Sequence, residues 1–185
     1  MLVGWENFYG MVGQTAGTLI GLMFVVLTLG ATLGSDVRRA AIATAVPMFV
    51  TPTLVHFGAV LLIAMLALIP KDSDLVVPWC LLVCGVAGVV YVVILGTGIF
   101  SSRPSLMDPS DIGAHAAYVP VPAIAYLLIT VSTLAALAGW HYAGLAIAAG
   151  AAILVAAGIR NAWGMALFVA QVSQKDARDA AAPKN

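Results

Sequence analysis

Apolar residues follow one another along this chain in five long runs, separated by short segments rich in charged residues, proline and serine. The runs cover about residues 9–33, 40–69, 76–100, 112–139 and 142–172. Each is long enough to cross the hydrocarbon core of a bilayer as a helix, which takes about 20 residues. The runs are continuous and do not alternate between apolar and polar positions, so they indicate helices rather than the strands of a membrane barrel.

This pattern predicts an all-α, polytopic transmembrane bundle of five spans that forms one domain over residues 1–173. A short polar tail follows at residues 174–185, and we expect it to fray. The chain opens without a basic segment and carries Glu6 close to its start. We therefore expect the first run to be a retained span rather than a cleaved signal peptide.

Composition agrees with a lipid environment, because 62% of the residues are hydrophobic and only 9% are charged. Soluble domains carry about a quarter of their residues as charges. Eight basic and eight acidic residues give a net charge of zero. This charge balance gives no reason to expect a nucleic-acid partner. The hydrophobic composition makes the lipid bilayer the expected environment.

The basic residues between the runs predict an orientation. In a five-span bundle six of them fall on one side, and only Lys71 falls on the other. Cytoplasmic loops are enriched in lysine and arginine, so the N-terminus is expected outside and the C-terminus in the cytoplasm. Four aromatic residues then lie at the outer interface, where an aromatic belt is common. The six basic residues are Arg38, Arg39, Arg103, Lys175, Arg178 and Lys184, and the four aromatic residues are Trp5, Trp79, Trp140 and Tyr142.

The first run carries glycine at every third or fourth position on one helical face, with polar residues on or beside that face. Small residues at this spacing let two membrane helices approach closely. The face is predicted either to pack inside its own bundle or to form a subunit interface or pore wall. Glu6 is expected either to attract cations in a ring of subunits or to sit in the headgroups at the helix start. The candidate residues are Glu6, Gly10, Gly13, Gln14, Gly17, Thr18 and Gly21.

The second run contains His56 near mid-membrane, together with Thr51, Thr53 and two prolines, Pro47 and Pro52. Proline-broken helices with hydroxyls nearby form ion sites in many transporters, and the fourth run has its own pair of prolines. Prolines are also common in membrane helices without such a role. His56 could serve as a proton relay or a cavity residue, but a neutral imidazole hydrogen-bonded to a neighbouring helix is favoured.

The remaining polar residues favour structural roles. Arg160 falls near the inner headgroups and is expected to snorkel or to pair with Asp36, Asp108 or Asp111. Cys80 and Cys84 share one helix face, where two thiols are too few for a closed zinc site. The other histidines, His115 and His141, are predicted near opposite interfaces, so we expect neither a metal site nor a haem or other cofactor.

The opening Trp5-Glu6-Asn7-Phe8-Tyr9, followed by Gly21-Leu22-Met23-Phe24-Val25, resembles a group of small bacterial membrane proteins. Its members begin with an aromatic-Asn-Phe segment and a Gly-Leu-x-Phe-Val span, and some are loosely labelled as modulators of a membrane protease. The resemblance covers only the first span and the residues just before it, about residues 1–30. It implies a multi-pass protein of the bacterial cytoplasmic (inner) membrane and carries over no catalytic or binding residue.

These patterns lead to competing hypotheses of function. The first is a small homo-oligomeric channel or passive transport protein for ions or small solutes, assembled through the first span. The alternative is a non-catalytic subunit or regulator that docks on a larger membrane complex. A proton- or metal-coupled carrier that uses His56 is a third. No enzyme is expected, since no span holds paired carboxylates and the sequence contains no nucleophile elbow, HExxH or phosphate loop.

Overall fold

The structure is a computed structural model, and it describes residues 2, 4–33, 40, 43, 46, 50–69, 76–102 and 119–181. In these ranges it contains five long helices and no strand: α1 (Glu6–Leu33), α2 (Thr51–Ala67), α3 (Val76–Ser102), α4 (Pro120–Leu137) and α5 (Ala143–Ala181). Four of them, all but α2, are long and apolar enough to cross a membrane, and α2 is a shorter apolar helix of 17 residues. The predicted all-α membrane bundle is confirmed. The loop residues used to predict its orientation, Arg38, Arg39, Lys71 and Arg103, lie outside the described residues.

Prolines stand in the first turns of α2 and α4. Pro52 is the second residue of α2, while Pro120 and Pro122 begin α4. Proline is tolerated there because the first N–H groups of a helix have no acceptor within it. The hydroxyl of Thr51, the first residue of α2, donates to the Val46 carbonyl oxygen at 3.2 Å. Pro47 and residues 103–118 are outside the described ranges, so the proline-broken helices remain a prediction.

Helices that follow one another along the chain run antiparallel. Gly13 near the start of α1 faces Ala64 near the end of α2. Along α3 and α4, Gly88 lies against Tyr126 and Gly96 lies against Val119. The starts of α1, α3 and α5 therefore meet the ends of α2 and α4 at one end of the bundle. We call it the aromatic end because it carries Trp5, Trp79, Trp140 and Tyr142.

A tight turn at the aromatic end joins α4 to α5. Gly139 adopts a φ of 88°, in the left-handed region that glycine enters without strain. Its N–H donates to the Ala136 carbonyl, and the Trp140 N–H donates to the Ala135 carbonyl. This pair of bonds is the Schellman arrangement, which satisfies the last carbonyls of a helix. It ends α4 and turns the chain directly into α5.

Large apolar side chains fill the interior of the described bundle. The helix α2 lies at its centre and contacts α1, α3 and α5. Its Phe57 and Ile63 are fully buried, as are Ile129 of α4 and Leu154 of α5. Gly158 of α5 lies under the Phe57 ring, where any side chain would overlap it. The single chain is thus closely packed along its axis, as protein interiors are.

The last helix is longer than a bilayer is thick. With 39 residues, α5 extends for about 58 Å, roughly twice the hydrocarbon core. The polar tail that the sequence predicts from Gln174 is helical as far as Ala181. Its last turns are rich in alanine, the residue with the highest helix propensity.

Candidate functional site

Candidate polar groups lie at membrane depth on the outward face of α1 and in a buried cluster around His56. The α1 residues come first. Gly13 is buried against Ala64, where a Cβ on the glycine would lie 2.8 Å from the alanine Cβ. Gly10 and Gly17 are half-buried, and Gly21 is exposed. The glycines predicted to share one face are therefore divided between a contact with α2 and the open surface of the single chain.

A stripe of exposed residues follows α1 on the side away from the bundle, and we call it the outer stripe. On the inward side, Tyr9, Val12, Ala16 and Met23 are buried. Burial of these four side chains fixes the rotation of α1 about its axis, and the opposite helical face therefore points outward. The outer stripe consists of Met11, Gln14, Thr15, Thr18, Gly21, Leu22 and Val25.

Hydrogen bonds on the outer stripe satisfy its hydroxyls but not its amide. The Thr15 hydroxyl donates to the Met11 carbonyl and the Thr18 hydroxyl to the Gln14 carbonyl, each at 2.8 Å. The Gln14 side-chain amide has no hydrogen-bond partner among the described residues. It lies near the centre of the apolar stretch Glu6–Thr28, within about 5 Å along the helix axis. An amide at that depth needs protein or water.

Glu6 lies away from the bundle interior at the aromatic end. It is exposed, and its Oε1 accepts the Gly4 N–H at 3.1 Å. A carboxylate in the first turn also interacts favourably with the positive end of the helix dipole. Both interactions explain how Glu6 supports the start of α1.

The second place is the buried cluster formed by His56 of α2, Tyr91 of α3 and Tyr126 of α4. His56 is fully buried, and its Nδ1 is hydrogen-bonded to the Tyr126 hydroxyl at 3.1 Å. The expected hydrogen bond from His56 to a neighbouring helix is thus confirmed. The Tyr91 ring meets the imidazole edge-on, with ring centroids 6.3 Å apart. His56 Nε2 is buried and has no partner in the part of the chain that the structure describes.

Two glycines of α3 bring this cluster together. At Gly88 a Cβ would overlap the Tyr126 ring, and at Gly85 it would press on Thr130. The Thr130 hydroxyl in turn donates to the Tyr126 carbonyl at 2.8 Å. Because α3 lacks side chains at these points, α4 approaches closely and Tyr126 reaches His56 between the helices. The sequence offered one signal for this: a tyrosine in an apolar run needs a partner for its hydroxyl.

The other candidates around His56 are dispersed. Thr53 is fully buried on α2, whereas Thr51 is exposed. His115 lies outside the described residues, and His141 is exposed in the turn before α5. Among the described residues, no group of three His, Cys, Asp or Glu side chains is placed to hold a metal ion.

Beside the cluster, a groove of about 700 Å³ opens between α2 and α3, and we call it the α2–α3 groove. Small residues on the two helices create the space. Tyr91 and Tyr126 line it at the end farthest from Trp79, which we call its inner end. Cys80 and Cys84 both line it as free thiols. The lining residues are Val55, Gly58, Ala59, Leu62, Leu66, Trp79, Cys80, Val83, Cys84, Ala87, Gly88, Tyr91 and Tyr126.

Arg160 is separate from both places. It is exposed on α5, about 25 Å along the helix from Ala143, and lies towards the end opposite the aromatic end. The partners considered for it, Asp36, Asp108 and Asp111, lie outside the described residues. Its predicted pairing with them stays a prediction.

Comparison with known proteins gave no match: no family model, no curated protein and no solved structure matches this chain. The geometry of the outer stripe and of the His56 cluster is therefore the basis for inferring a function.

Proposed function

We propose that this protein is a small homo-oligomeric channel or passive transport protein for ions or small solutes, with its path between subunits along the outer stripe of α1. The observation that carries the proposal is the Gln14 amide, exposed near mid-membrane and without a hydrogen-bond partner among the described residues of its own chain. Leaving such an amide in hydrocarbon is costly, which favours an assembly that gives it protein or water.

Packing inside the single chain supports a path between copies rather than through one copy. The bundle axis is filled by buried side chains such as Phe57, Ile63 and Ile129. On the outer stripe, by contrast, Gly21 leaves space and Thr18 presents a polar surface. Several copies around one axis would convert these stripes into a ring of amides and hydroxyls, which is how polar paths form in helical channels.

The proposal includes a location. A bacterial cytoplasmic membrane, with the aromatic end outside and the end of α5 in the cytoplasm, fits the positive-inside rule. The long α5 then extends into the cytoplasm, where its polar last turns meet water.

Reconstituted protein tests conduction directly. Purified chain in planar bilayers is expected to show discrete conductance, and Gln14→Leu should lower it by about tenfold, since replacing a pore-lining amide with an apolar side chain favours dewetting. Val25→Leu is the matched control, because it lies on the same stripe but changes no polar group. Absence of conductance in the native chain, or equal conductance of Gln14→Leu and the native chain, would contradict the proposal.

A second candidate is a non-catalytic subunit that docks on a larger membrane protein. The observation that favours it is that Thr15 and Thr18 direct their hydroxyls to their own backbone. A stripe with its hydroxyls satisfied in this way suits a dry helix–helix contact as well as a wet one. Native mass spectrometry separates the two hypotheses. A channel predicts a defined homo-oligomer, whereas a docking subunit predicts a monomer when purified alone.

A further inference from the structure

We propose that the α2–α3 groove binds a membrane-soluble, uncharged molecule that has an aliphatic or isoprenoid chain and one terminal hydroxyl or carbonyl group. This inference goes beyond the proposed function and does not depend on conduction. It concerns a surface formed by α2 and α3 rather than by α1, and it rests on the shape, the lining and the polar inner end of the groove.

The size of the groove fits a small ligand. Its volume of about 700 Å³ lies within the usual range of ligand pockets, about 300–1,000 Å³. Gly58 shows that the space is part of the fold, because a Cβ at that position would meet no atom within 4 Å.

The lining selects for an uncharged chain. The walls are aliphatic, with Leu62, Leu66 and Val83 among them, and no described lining residue carries a charge. A charged ligand would lose its hydration there without gaining a counterion. A hydrocarbon or isoprenoid chain matches these walls and reaches the groove sideways from the bilayer.

The inner end offers the polar contact that orients such a molecule. The Tyr91 hydroxyl has no hydrogen-bond partner among the described residues, although the residue lines the groove. Tyr126 lines it too, and its hydroxyl is held by His56, whose Nε2 is itself buried without a described partner. A terminal hydroxyl or carbonyl of the ligand would gain a hydrogen bond from Tyr91 at a depth where the surrounding lipid offers none.

A photoreactive long-chain alcohol that carries a diazirine tests the proposal, with the purified full-length protein in phosphatidylcholine vesicles. We expect saturable labelling on α2 and α3 near Cys84 and Tyr91. Gly58→Leu should abolish the saturable labelling, because its side chain enters the groove from a position where an added Cβ meets no atom within 4 Å. Ala152→Leu, on the exposed side of α5, should leave it unchanged.

The hydrogen bond proposed between Tyr91 and the ligand can be tested separately. Tyr91→Phe should weaken labelling by the alcohol about fivefold, which corresponds to one net hydrogen bond, and should not weaken labelling by the matching diazirine alkane. Non-saturable labelling spread over all lipid-facing helices would overturn the proposal, since it would mean ordinary contact with bulk lipid. So would unchanged labelling in Gly58→Leu. Cross-linking of Cys84 between two chains by a bis-maleimide would also overturn it, by showing that a second copy occupies the groove.

Discussion

Gly88 shows how one missing side chain positions another residue. It lies on α3 directly under the Tyr126 ring, and a Cβ there would overlap ring atoms. Tyr126 is fully buried and is the hydrogen-bond partner of His56, so the ring cannot move without disturbing that bond. Gly58, on the facing helix α2, is in the opposite situation, because a Cβ added there would meet no atom within 4 Å.

This difference predicts opposite effects of the same substitution. Gly88→Ala should destabilise the protein by about 1–3 kcal/mol, because it overpacks the core and displaces Tyr126. Gly58→Ala should be neutral or stabilise by up to about 1 kcal/mol, since alanine has the higher helix propensity. Equilibrium unfolding in mixed detergent micelles measures both. Equal changes in the free energy of unfolding would show that Tyr126 does not lie on Gly88.

His56 illustrates what residue-level reasoning could predict. A histidine in an apolar run needs a hydrogen-bond partner, and that requirement is met at 3.1 Å by the Tyr126 hydroxyl. The identity of the partner could not be read from the sequence, because 70 residues separate the two positions. Only the approach of α4, permitted by Gly85 and Gly88, brings them together.

At the scale of the helices, the sequence predicted the elements well because the bilayer restricts the choice. Backbone groups in hydrocarbon must be paired within the segment, so a long apolar run forms a helix. The first, third and fifth runs accordingly match α1, α3 and α5 to within a few residues at their starts. The ends were less predictable, as α5 shows, because helix propensity continues the helix past the apolar run to Ala181.

The rotation of a helix about its axis was harder to predict than its extent. In the sequence, the spacing of the glycines of α1 predicts that they lie on one helical face. In the fold, Gly13 packs against Ala64, while Gly21 is exposed. Tyr9 and Met23 are buried against the bundle instead, and in lipid the van der Waals packing of such side chains sets the rotation of a helix. The α2–α3 groove was unpredictable for a related reason: Gly58 and Cys84 come from different runs and share a surface only after packing.

At the scale of the whole molecule, the described bundle has one filled interior and two surfaces with distinct chemistry. The outer stripe of α1 carries small residues and an amide that has no hydrogen-bond partner in the part of the chain that the structure describes. The α2–α3 groove is apolar, with hydroxyls at its inner end. The two surfaces belong to different helices, so assembly through one leaves the other open to the membrane. The proposed function concerns the first surface, and the proposed ligand concerns the second.

The central claim is that the outer stripe faces protein or water in the assembled protein, and spin labelling tests it most directly. A nitroxide is attached at Thr18→Cys, or at Val86→Cys as a reference at similar depth on the exposed side of α3, with Cys80→Ala and Cys84→Ala in both. Collision with dissolved oxygen, which concentrates in lipid, is then measured in vesicles. We predict a several-fold lower oxygen accessibility at position 18 than at position 86. Equal accessibility at the two positions would place the outer stripe in lipid and contradict the account.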